Sequence, residues 1–210
     1  MKNSATVVER ARNMVEDWKV ANSPAMLASL TPQQSFPSTD GEVSPPLPQP
    51  VPRWGAPALG RYKCNIDASF SSHLNYTGIG ICIRDSASIL VLAKALSYPC
   101  CVSTDVGEAL GLHSAFQWLD DMHFHSVDFE TDSKLTISAF LSTRNDMSEF
   151  GCIISSCCSL FSSTFVNSRV EFVRRQANGV DHALAREALL LASPAIYYDI
   201  PDCIETLIIN

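Results

Sequence analysis

Phe129-Glu130-Thr131-Asp132-Ser133 carries the strongest structural signal in the sequence. It is a short β-prone run that ends in a carboxylate, and a helical pattern opens directly after it at Lys134. Upstream, Cys64-Asn65-Ile66-Asp67-Ala68-Ser69 is built in the same way, an apolar strand with one aspartate toward its end. Asp67 follows Ile66 inside that strand, where an unpaired charge is costly, so the residue calls for a function rather than a structural excuse. Between the two runs lies a helical pattern from about Thr104 to Met122. Val106, Ala109, Leu112, Phe116 and Leu119 recur there at spacings of three or four, and Glu108 sits on the flank of that apolar stripe.

Working outward, Tyr62–Phe70, Thr77–Asp85 and Ile89–Ser97 read as three strands. Asp85-Ser86-Ala87-Ser88 supplies the polar turn between the last two. Strands so closely connected predict an antiparallel meander. His125–Asp132 is a fourth strand, followed by helices at Lys134–Leu141 and Phe150–Phe161, a fifth strand at Arg169–Arg175, and a last helix from Val180 to about Leu191. The order βββαβααβα predicts an α/β fold, a mixed five-stranded sheet with helices on its faces.

The flanks differ in character. Residues 1–22 read as an N-terminal helical segment, with Val7, Ala11, Met14, Val15 and Trp18 roughly on one side. Residues 23–57 hold most of the chain's twelve prolines amid Ser, Gln and Thr. Closely spaced prolines favour extended, solvated chain, so this stretch reads as a linker. The folded domain is then expected over 58–194, with an apolar-acidic tail of no assigned role at 195–210.

Bulk composition narrows the class. The chain has 210 residues, 46% hydrophobic and 18% charged, enough for one domain of about 130–150 residues plus appendages. No apolar run approaches the roughly 20 residues that span a bilayer. Met1 to Val20 is studded with charges and lacks a signal-peptide apolar region. The expectation is an intracellular protein of nucleus or cytoplasm, neither secreted nor membrane-bound. The Asn75-Tyr76-Thr77 sequon then reads as a coincidence in a hairpin loop. Eight cysteines include no C-x-x-C pair, and Cys100-Cys101 and Cys157-Cys158 are adjacent, which suits neither zinc nor a disulfide framework. The net charge of −7 argues against tight, purely electrostatic nucleic-acid binding. For the oligomeric state, a monomer is the simplest expectation.

With these pieces in order, the chain resembles the RNase H type-1 domain, in the reverse-transcriptase-like group of non-LTR retroelements found in plants as standalone proteins. The resemblance rests on Trp54…Pro57…Gly60-Arg61-Tyr62-Lys63-Cys64-Asn65-Ile66-Asp67 and Thr77-Gly78-Ile79-Gly80…Arg84-Asp85. It continues through Gly107-Glu108-Ala109-Leu110, Glu130-Thr131-Asp132-Ser133 and Arg175-Gln176-Ala177-Asn178…Leu184-Ala185. It implies a nuclease that cuts the RNA strand of RNA–DNA hybrids with two Mg²⁺ ions about 4 Å apart, Mn²⁺ serving as a substitute. Asp67, Glu108 and Asp132 match the family's first three metal-binding carboxylates. Asp132 has a bland reading beside this one, as the cap of the helix that begins at Lys134.

The fourth position departs from the family. Counting from Asn178, the family's aspartate falls on His182, and Asp181 next door points about 100° away along a helix. An imidazole brings no negative charge, so the second ion should be held less tightly. The link between Arg175 and Asn178 has no room for the mobile histidine of other members, and the basic handle helix is missing. Ser69, Lys134, Arg174 and Arg175 are the remaining candidates to touch nucleic acid. The competing reading is a retroelement-derived module that binds nucleic acid or protein without catalysis.

Overall fold

Side-chain alternation sets which way the central strands face. In the computed structural model, which describes residues 54–208, strand β1 (Tyr62–Ser71) runs antiparallel to β2 (Tyr76–Arg84), and β2 antiparallel to β3 (Leu90–Tyr98). The expected helix and most of the proline-rich stretch lie outside the described residues. Successive strand residues point to opposite faces. Cys64, Ile66 and Ala68 of β1 and Ile79, Ile81 and Ile83 of β2 therefore share one apolar face. Asn65, Asp67, Gly78, Gly80, Cys82 and Arg84 fall on the other.

The first face is covered by α1 (Thr104–Asp121) and α3 (Glu149–Thr164). Phe116 of α1 packs edge-on against Phe129 at 4.7 Å between ring centroids, with Phe140, Phe161 and Phe165 around them. Strand β4 (Val127–Thr131) joins β1 in parallel, and β5 (Arg169–Phe172) joins β4 in parallel. The short helix α2 (Lys134–Phe140) follows β4.

The second face receives α4 (Gly179–Ala188), which lies unusually close to the sheet. A Cβ built on Gly78 would sit 2.2 Å from the Ala185 carbonyl oxygen, and one on Gly80 2.2 Å from that of Asp181. Glycine at these two strand positions lets a helix backbone touch the sheet.

The main differences from the sequence reading lie at the two edges of the sheet. The sheet has six strands, not five, in the order β5-β4-β1-β2-β3-β6. The sixth, β6 (Ala195–Tyr197), pairs antiparallel with Ala93–Ala95 of β3. It comes from the stretch read as a tail, which continues through a 3-10 turn (Asp202–Ile204) into α5 (Glu205–Ile208). Ile204 is fully buried with Leu184 and Val180 of α4, so burial of apolar surface holds this segment in place. The fifth strand is also shorter than expected. It ends at Phe172, and Arg175–Ala177 forms a 3-10 turn leading into α4.

Candidate active site

Asp67 lies in β1, opposite Gly80 of β2, and only 3% of its surface is exposed. Glu108 projects from the first turns of α1 and is also buried. Asp132 follows the last residue of β4, half-buried. Oxygens of these three carboxylates lie within 4.8 Å of one another, the only such cluster among the described residues. Asp132 does not cap α2. That role falls to Ser133, whose Oγ accepts from the Thr136 backbone N–H at 3.3 Å, leaving Asp132 turned toward the other two acids.

His182 belongs to the same spot. Its Nδ1 lies 2.7 Å from Oδ2 of Asp67. Asp181 does not: it is fully buried under α4, near Arg84, Cys64 and Cys82, with neither carboxylate oxygen hydrogen-bonded. The 100° between successive helix residues sends the two side chains in different directions.

The acids repel one another. Burial first, then the charge of Asp132, push Asp67 up to about 6, against the hydrogen bond and charge of His182. Burial, then the charges of Asp67 and Asp132, push Glu108 up to about 9. Oε2 of Glu108 is buried with no hydrogen-bond partner. An orphaned carboxylate oxygen facing two further acids is a donor set for a hard divalent cation.

The candidate nucleic-acid residues are scattered around this centre. Ser69 lies two residues beyond Asp67 on the same strand face, half-buried. Lys134 is exposed, its Nζ 5.2 Å from the Phe172 ring centroid. Arg174 and Arg175 are exposed, and the charge of Arg175 reaches both Asp67 and Glu108. Sequence reasoning passed over Asn65 as a site neighbour. Its signal was a lone amide two residues before Asp67 in an apolar strand.

Burial and proximity to other acids hold the Asp181 carboxyl well above its ordinary range, while Arg84 pulls it down. The unfolded chain ionises this group above its ordinary value of 3.8 and the folded one does not. The folded state therefore binds the extra proton, and stability falls as pH rises through 3.8 toward the raised folded value. Asp181→Asn removes the ionisation and keeps the shape. Urea unfolding at pH 7 should show the variant more stable by about 1–3 kcal/mol, with the gain shrinking toward pH 4. A destabilised variant at pH 7 would show that Asp181 has a partner the geometry does not reveal.

A profile of the family described as reverse transcriptase-like matches residues 65–188, the span from the strand of Asp67 to the end of the His182 helix. The chain belongs to this reverse-transcriptase-like RNase H family. No curated protein matches the sequence. Among solved structures, RNase H1 from the halophilic archaeon Halobacterium salinarum is similar at TM-score 0.56 and 18% identity, over 62% of this chain and 98% of its own. LC11-RNase H1 in complex with an RNA/DNA hybrid is similar at TM-score 0.55 and 15% identity, over 61% of this chain and 96% of its own. The N-terminal RNase H domain of a Mycobacterium tuberculosis protein gives TM-score 0.54 and 17% identity, over 61% and 93%. At these identities the likeness is one of fold. Among the described residues, no helix is long and apolar enough to cross a membrane.

Proposed function

We propose that this protein is a metal-dependent endonuclease that hydrolyses the RNA strand of RNA–DNA hybrids at Asp67, Glu108, Asp132 and His182. The observation that carries the reading is the convergence of three carboxylates from three separate elements, with His182 hydrogen-bonded to one of them. The family supports it, and the hybrid bound by LC11-RNase H1 suggests the substrate class.

Asp67, Glu108 and Asp132 would hold the metal, Mg²⁺ or Mn²⁺, as a pair of ions in this reading. When bound, such ions activate a water and stabilise the charge on the transferring phosphate. The protein's own part is to gather the acids, to keep Asp67 oriented through His182, and to exclude water behind Glu108. Glu108 is protonated at neutral pH while the acids face one another alone, so metal binding must displace that proton. Ser69, Lys134, Arg174 and Arg175 are the proposed contacts to the nucleic-acid backbone, Arg175 nearest the reacting phosphate.

A second reading, a binding module without catalysis, is favoured by one observation: an imidazole stands where a fourth acid would add charge. Cleavage of a labelled hybrid separates the two. Activity should be low in Mg²⁺ and higher in Mn²⁺, which accepts imidazole more readily. His182→Asp should raise the Mg²⁺ rate about tenfold, equivalent to about 1.4 kcal/mol. No cleavage in either metal by wild type or variant hands the site to the binding reading.

A further inference from the structure

A second polar cluster lies two residues before Asp67, on the same face of β1. Asn65 is 0% and Asn178 1% exposed, so their polar atoms need partners inside the protein. The Asn65 amide fills all its hydrogen-bonding positions. Oδ1 accepts from Trp54 Nε1 at 2.8 Å and Arg84 Nη2 at 3.0 Å. Nδ2 donates to Glu130 Oε2 at 2.9 Å and to Asn178 Oδ1 at 3.3 Å. Two donors at one end and two acceptors at the other fix which way the amide faces.

The surrounding groups are themselves held. The Arg84 guanidinium lies 3.5 Å from the Trp54 ring centroid, and Lys63 Nζ is 2.8 Å from Glu130 Oε1. Asn178 carries the constraint onward. With its Oδ1 taken by Asn65, its Nδ2 donates to the carbonyl of Ile66 at 3.0 Å, the residue before Asp67. Asn178 also begins the helix, accepting the His182 backbone N–H at 3.2 Å.

The spacing of strand and helix completes the argument. Two strand residues advance about 6.6 Å and four helix residues about 6 Å. A helix fixed at Asn178 beside Asn65 therefore brings residue 182 beside residue 67, where the 2.7 Å contact is found.

We propose that Asn65 and Asn178 are positioning residues that set the register of α4 along β1 and thereby hold the His182 imidazole on Asp67. The consequence for activity rests on the nuclease reading; the geometric part does not. Long-range ¹H–¹⁵N spectra of the metal-free full chain read the His182 ring nitrogens directly. Wild type should show a hydrogen-bonded Nδ1, and Asn178→Ala should move both nitrogens to the shifts of a free imidazole. Ile204→Ala, which weakens α4 packing away from the cluster, should leave them in place. Asn178→Ser, a milder change chosen to fold, is read in the same way.

In the hybrid assay Asn178→Ala should lower kcat about ten- to a hundredfold with KM held within about twofold, and should add nothing in a His182→Ala background. Wild-type imidazole signals in folded Asn178→Ala or Asn178→Ser overturn the proposal, whatever the activity. If neither wild type nor His182→Asp cleaves in either metal, the nuclease reading falls instead, and the spectra still decide the positioning role.

Discussion

Asp132→Asn is expected to abolish hybrid cleavage in Mg²⁺ and Mn²⁺ alike, a fall of about a thousandfold or more, while the protein stays folded. The change removes one of three charges from a site whose chemistry depends on holding cations, and a loss of several kcal/mol of metal-borne stabilisation is worth that factor. The fold has little reason to suffer, because Ser133 caps α2 and Asp132 has no structural duty there. The charge of Asp132 pushes both Asp67 and Glu108 up, so the metal-free variant should unfold at an equal or higher temperature than wild type. Single-turnover cleavage and a thermal melt of the same preparation check both halves. Retained cleavage would remove Asp132 from the site.

Gly80→Ala is expected to destabilise the protein by about 3 kcal/mol, the upper end of overpacking costs, and to take activity with it. The new methyl group would lie 2.2 Å from the Asp181 carbonyl oxygen and 2.5 Å from the Ala185 amide nitrogen, both backbone atoms. Side chains can rotate out of such a clash, but a helix backbone must be displaced as a body. Gly80 is also the strand partner of Asp67, so moving α4 outward there pulls His182 from its carboxylate. Chemical denaturation measures the first effect, and the His182 ring-nitrogen shifts the second. An alanine variant as stable as wild type would mean that α4 tolerates a looser seat.

The fold was legible where periodicity ran long enough. The alternation of β1 and β2 and the three-and-four spacing of α1 each extend over nine residues or more, and their type and order were readable. Ala195-Ile196-Tyr197 was not, because three residues between Pro194 and Pro201 carry no measurable period. Only burial of Ile204 against α4 reveals why that segment stays. For the site, the 100° step along a helix is enough to separate His182 from Asp181. The amide cluster could not be found in this way. Asn65 and Asn178 are 113 residues apart, and what makes them partners is the saturation of one amide by four groups from distant parts of the chain. The unpartnered burial of Asp181 was hidden for the same reason, since sequence shows which way a side chain turns but not what awaits it.

The sixth strand has a consequence for how molecules of this protein meet. A sheet edge is a row of open amides and carbonyls that a neighbouring chain can extend. Here the outermost strands are the shortest, four residues in β5 and three in β6, whereas β3 behind β6 runs for nine. By laying a stub over part of β3, the carboxy-terminal segment shortens the template on that side. Shortening the chain at Pro194 would open the Ala93–Ala95 stretch that β6 pairs with, and sedimentation should then show more self-association than in the full chain.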